Sequence, residues 1–167
     1  MKRYKMERSI FDKTGRIKFP DKTRTPIAEE AEEKKFINKC YCGKGHNLVS
    51  ERVRFNDHYG IMVLIRNKEK NGLLGISPKC GCKMKISMDI DLVAGETYSF
   101  HCTECDENLP VFSPCPDCDG HLVTLFLDET LDYKYCIGIC NRMGCCYSEI
   151  RTGDELVTCN SADITRY

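Results

Sequence analysis

A chain of 167 residues is sized for one domain or two small ones, and its 41% hydrophobic share is inflated by 13 cysteines. Leu, Ile, Val and Phe together number 38 and Trp is missing, so a modest core is expected rather than a large self-supporting enzyme core. The formal charge is zero but unevenly spread: residues 1–39 hold 12 Lys/Arg against 7 Asp/Glu, and residues 40–167 hold 13 against 18. No window approaches the ~20 apolar residues of a membrane span. The start, Met1 to Arg8, is charged and lacks the apolar run of a secretory signal. The expectation is a soluble, cytoplasmic protein with no membrane partner.

In chain order, residues 1–24 form a basic arm with nine Lys/Arg and four isolated large apolar side chains, Ile10, Phe11, Ile17 and Phe19. Thr25-Pro26 then has the form of an N-cap followed by proline at the first helical position. Ile27 to Asn38 follows, rich in the helix formers Ala, Glu and Lys. From Cys40 the pattern changes to strands. Ile61 to Ile65 is a short apolar run of β-formers. Met84, Ile86, Met88, Ile90 and Leu92 alternate with polar residues, the period of a half-buried strand. Tyr98 and Phe100 lead a strand into Cys102. Leu122–Leu127 and Tyr133–Ile139 flank Asp128 to Asp132 and read as a hairpin.

The cysteines carry the chemistry. An odd count without a secretory signal argues against a disulfide framework. Metal–thiolate sites need neither, and they supply folding free energy to a chain with a thin core. Cys102-Thr-Glu-Cys105 and Cys115-Pro-Asp-Cys118 are Cys-x2-Cys knuckles: across a tight turn both sulfurs reach about 2.3 Å from one ion. Together they resemble the short zinc-ribbon module, except that Asp106 and Asp119 stand where ribbons usually carry glycine. Cys40-Tyr-Cys42 and Cys140-x4-Cys145 supply two further pairs, making eight ligands for two tetrahedral sites. In one pairing Cys102/Cys105 join Cys115/Cys118 and Cys40/Cys42 join Cys140/Cys145. In the other Cys40/Cys42 meet Cys102/Cys105, and Cys115/Cys118 meet Cys140/Cys145 across the hairpin. The second reproduces the knuckle–hairpin–knuckle order of a ribbon. Five cysteines remain. Cys80-Gly-Cys82 reads as a turn or a partial third site, Cys136 and Cys146 neighbour the last knuckle, and Cys159 reads as free. Among the histidines His46 is the candidate extra ligand.

Cys40-x-Cys42-Gly…His46, followed by His101-Cys-x2-Cys-x3-Leu-Pro-Val111, resembles the small zinc-carrying gamma subunit of acetone-carboxylase-type complexes over about a fifth of the chain. The resemblance implies a small zinc-ribbon subunit of a larger enzyme.

Catalytic readings are poorer. Cys102-Thr-Glu104 with Pro114-Cys-Pro-Asp-Cys118 has the outline of a zinc deaminase, but Cys105 completes a knuckle and closes the ion to water. A radical iron–sulfur motif would need a cysteine where Met143 stands. The sequence therefore predicts a mainly β fold of zinc-ribbon-like knuckles and hairpins with one N-terminal helix and an extended N-terminal arm. Residues 1–39 form the arm and helix, and 40–167 form a cysteine-rich β domain with two ribbon-type metal sites. The expected ligands are Cys40, Cys42, Cys102, Cys105, Cys115, Cys118, Cys140 and Cys145, holding about two Zn2+ ions. The expected role is an accessory subunit without a catalytic site of its own, bound to a larger protein subunit partly through the arm. The alternatives are a ribbon binding nucleic acid through the arm, and an electron carrier holding iron or an iron–sulfur cluster in place of zinc.

Overall fold

The computed structural model describes residues 36–79 and 84–159. The chain divides into Met1–Glu33 and Lys34–Tyr167, and every described residue belongs to the second unit. Among the described residues there is no helix. The expected arm and most of the expected helix lie outside them. The last positions of that helix, 36–38, are extended instead: Phe36 bridges Lys79, and the Ile37 N–H donates to the Pro78 carbonyl at 2.8 Å.

Among the described residues ten strands make two antiparallel sheets of five. Sheet 1 contains β1 (Val49–Phe55), β2 (His58–Arg66), β3 (Asn71–Ile76), β4 (Lys85–Met88) and β5 (Ser99–His101). Its order is β1-β2-β3-β4, and β5 pairs with the far end of β2, at Leu64 to Arg66. Sheet 2 is a meander in the order β10-β9-β8-β7-β6, from β6 (Val111–Pro114), β7 (His121–Phe126), β8 (Tyr135–Cys140), β9 (Ser148–Thr152) and β10 (Glu155–Cys159). The mainly β character expected from the alternating and β-branched runs is present.

Turn chemistry fixes the hairpins. Asn56, in the left-handed region at φ 55°, turns β1 into β2, a conformation Asn tolerates better than most residues. In the β7–β8 loop the Asp128 carboxylate accepts from the Thr130 N–H and hydroxyl, and Asp132 accepts from the Lys134 N–H.

The main core lies between the inner faces of the two sheets. Ile61, Val63 and Ile65 of β2 meet Val123 and Leu125 of β7, with Phe100 of β5 fully buried among them. β2 is covered on both faces, which is why its run shows no alternation. On the outer face of sheet 1 a bulge between Ser50 and Arg54 lets β1 fold its side chains over the sheet. Val53 and Phe55 occupy the space above Gly60 and Gly75. A Cβ on Gly75 would lie 2.6 Å from Val53 Cγ2. Gly75→Ala is therefore expected to destabilise the fold by about 1–3 kcal/mol through overpacking. An unshifted urea midpoint would show instead that Val53 yields freely.

The period-two segment from Met84 to Leu92 is a strand only over Lys85–Met88. Asp89, at φ 62°, turns the chain, so the apolar residues scatter. Met84 and Ile86 are exposed, Met88 joins the outer cluster, and Ile90 and Leu92 pack against the main core. The alternation reflects an edge strand and a turn rather than one half-buried strand.

Candidate metal centres

Among the described residues two groups of four ligand atoms assemble, each with all its atoms within 4.8 Å of one another: Cys42, His46, Cys102 and Cys105 (site A), and Cys115, Cys118, Cys140 and Cys145 (site B).

Site A is made by two tight turns closed by single β-bridges, Tyr41 to Asn47 and His101 to Asn108. In the first, the Gly45 N–H donates to the Cys42 carbonyl at 3.0 Å, and the Lys44 and His46 N–H groups donate to Cys42 Sγ at 3.3 and 3.4 Å. Gly45 sits at φ 85°, which a side chain would oppose. That turn returns His46 to the sulfur, Nδ1 lying 3.4 Å from Cys42 Sγ. In the second turn the Asp106 N–H donates to the Cys102 carbonyl and the Glu104 N–H to Cys102 Sγ at 3.4 Å. Asp106 adopts φ 59°, the conformation for which ribbons usually recruit glycine; aspartate accepts it at modest cost. The Lys44 ammonium joins Glu107 at 2.7 Å and ties the two turns, but both groups are more than half exposed and the pair adds little stability.

Site B joins the β6–β7 turn to the β8–β9 connection. Pro114 is the last residue of β6 and Cys140 the last of β8, and these strands flank β7, so Cys115 and Cys140 leave the same end of the sheet on either side of the start of β7. Sγ of Cys118 lies 3.4 Å from that of Cys140, and Sγ of Cys115 lies 3.8 Å from that of Cys145. The Gly120 N–H donates to Cys118 Sγ at 3.3 Å and the Arg142 N–H to Cys140 Sγ at 3.5 Å. Gly120 is needed for its size, since a Cβ there would stand 2.9 Å from Cys140 Sγ. Asp119, the other departure from the ribbon pattern, has no left-handed backbone.

Backbone N–H groups aimed at sulfur favour thiolate, and burial opposes it. At Cys42 burial pushes the thiol up, but the Lys44 and His46 N–H groups, the imidazole and Cys102 outweigh it and bring the pKa down to about 7. Burial dominates at Cys102, raised to about 11, and also raises Cys140. Cys118 ends below the ordinary thiol value because the Gly120 N–H and the neighbouring sulfurs outweigh its burial. A divalent cation would lower all of them together. The donor sets, three thiolates with an imidazole and four thiolates, fit Zn2+ or iron.

Cys40 stands apart from site A. It is fully buried in the main core, where burial raises its thiol pKa. The reason is geometric. Residues i and i+2 of an extended segment lie about 6.6 Å apart along the chain, whereas the Gly45 turn brings His46 back to Cys42. Cys136 and Cys146 are in neither group; Cys136 Sγ donates to the Tyr133 carbonyl at 3.1 Å. Cys80 and Cys82 lie outside the described residues. The His101 ring engages Ser99 and the Asp106 carbonyl, and the His58 ring stacks on Phe36. Knuckles are therefore joined across a hairpin in site B and across all five strands of sheet 1 in site A. The signal that could have selected His46 over Cys40 is Cys42-Gly-Lys-Gly-His46, a glycine-bearing turn between two ligand types.

Comparison with known proteins finds no match to a family model, to a curated protein or to a solved structure. No helix among the described residues is long and apolar enough to cross a membrane.

Proposed function

We propose that this is a non-catalytic zinc-ribbon protein that serves as a small accessory subunit of a larger enzyme complex, in keeping with its likeness to the acetone-carboxylase gamma subunit. The observation that carries the reading is the pair of four-ligand groups. A tetrahedral ion held by four protein ligands has no position left for water or substrate, and structural zinc is held this way. With three thiolates and a neutral imidazole, zinc leaves site A at −1, and with four thiolates it leaves site B at −2. The body, already −5 over residues 40–167, becomes more acidic and unattractive to phosphate backbones. The arm binds the partner: Ile10, Phe11, Ile17 and Phe19 supply apolar anchors that offset the entropy of ordering an extended segment.

The purified protein is expected to be colourless and to carry two zinc ions per chain, with Zn–S distances of about 2.3 Å by X-ray absorption. A brown protein with bound iron would replace this reading with the electron carrier. Deleting residues 1–24 should leave both zinc ions in place and abolish co-purification with the enzyme subunits. Phe11→Ala with Phe19→Ala should weaken that association more than neutralising two arm lysines. Tight nucleic-acid binding with a steep salt dependence, lost on removing Lys and Arg alone, would overturn the accessory role.

A further inference from the structure

Every sheet edge leaves backbone donors and acceptors unpaired, and proteins guard such edges with bulges, prolines, charges or brevity. Here β1 carries a bulge with Glu51, Arg52 and Arg54. β5 has three residues, and β4 has four and begins with Lys85. β6 is bulged between Val111 and Ser113 and ends at Pro114. β10, the outer strand of sheet 2, has none of these devices. Its register runs unbroken from Glu155↔Thr152 to Cys159↔Ser148, its sequence is ELVTC, and its one charge is Glu155 at the start. Leu156 and Val157 are 53% and 55% exposed.

Val157 ends an apolar row that crosses sheet 2 through Ile150, Ile137 and Leu125. Leu125 and Ile137 are buried, Ile150 is partly buried, and Val157 is open beside a groove lined by Ile37 and Leu127. The core row thus reaches the edge of the sheet, and among the described residues no strand pairs beyond it.

We propose that β10 is the interface of a homodimer, pairing antiparallel with β10 of a second copy about Val157. The backbone phase suits this. Gly153, at φ 67°, opens a two-residue turn with Asp154 that makes Thr152 and Glu155 a hydrogen-bonded pair. Alternation then points the N–H and C=O groups of Glu155, Val157 and Cys159 at β9, and those of Leu156 and Thr158 at the free edge. Pairing about Val157 sets Leu156 opposite Thr158 of the second copy, donor to acceptor in both directions. It sets Glu155 opposite Cys159 of the second copy, so the two carboxylates lie at opposite ends and no like charges meet. The apolar row becomes continuous through both Val157 side chains. A five-residue strand pair covers less than the roughly 1,200 Å² of a stable interface, so the dimer is weak, with a dissociation constant on the order of 10–100 µM.

Sedimentation equilibrium of the full metal-loaded chain should show mass rising toward twice that of the monomer across that range. Hydrogen exchange at the Leu156 and Thr158 amides should slow as concentration rises. Thr158→Pro removes an N–H that β9 does not use, and Val157→Lys places two ammonium groups face to face at the axis. Each should weaken the dimer tenfold or more while metal content and far-UV dichroism match the parent. A single monomer mass throughout, with both amides unprotected at every concentration, would overturn the proposal and leave the edge to a strand of another chain. So would a dimer that withstands both substitutions, or whose formation leaves those amides unprotected.

Discussion

Cys118→Ser is expected to unfold the protein rather than to weaken it. Structural zinc contributes about 10 kcal/mol or more per site, and a domain of this kind is stable overall by only about 5–15 kcal/mol. Cys118 lies 3.4 Å from Cys140 at the point where the β6–β7 turn meets the end of β8, so site B closes the strand ends of sheet 2 on one another. Leu122 and Tyr147 pack against the same sulfurs in a small cluster of their own, which has little else to hold it. The variant should lose one zinc ion, lose its cooperative urea transition and aggregate, and excess chelator should do the same to the parent. Cys136→Ser is the matched control. Cys136 is buried more deeply than Cys118, but its Sγ donates to the Tyr133 carbonyl, a bond that a hydroxyl can replace. It should retain both metals and cost no more than about 1–2 kcal/mol. A folded Cys118→Ser chain with two bound ions would remove site B from the structural account.

What was legible in the sequence is what depends on local spacing. Cys102/Cys105 and Cys115/Cys118 are knuckles because two residues between sulfurs suffice for a tight turn. β2 and the β7–β8 hairpin follow from an unbroken apolar run and an Asp-rich loop. Which knuckle meets which depends on pairings tens of residues apart, such as Leu64↔His101, which no local pattern encodes. β3 was hidden for a different reason. Asn71-Gly-Leu-Leu-Gly-Ile76 has two glycines that read as breakers, yet they are packing positions: a Cβ on Gly72 would lie 2.5 Å from Ile90 Cγ2, and Gly75 lies under Val53. The Met84–Leu92 alternation misled in the opposite direction, because a left-handed Asp89 leaves no trace in a hydropathy pattern. β10 offers only Leu and Val amid polar neighbours, too little for a strand until β9 templates it.

The substitutions that bear most directly on site A are His46→Ala and Cys40→Ala, and they should differ sharply. Both side chains flank Cys42, and by residue type alone the cysteine is the better candidate. In the fold, His46 Nδ1 is 3.4 Å from Cys42 Sγ, while Cys40 is sealed in the core with its backbone carbonyl accepting from the Leu48 N–H at 2.7 Å. His46→Ala should leave three thiolates, release the site A ion and cost much of the ~10 kcal/mol that structural zinc supplies. By the same reckoning as for Cys118→Ser most chains should then unfold, and those that stay folded should hold one ion, at site B. Cys40→Ala deletes a small buried apolar group and should cost about 1–2 kcal/mol, with two ions still bound. His46→Cys supplies a thiolate where the imidazole stood. It should keep two ions, and Co2+ substituted into site A should then show the spectrum of a four-thiolate site. Should Cys40→Ala lose an ion while His46→Ala keeps both, the ligand set would be four cysteines, and the Gly45 turn would serve only to hold the Cys42 sulfur.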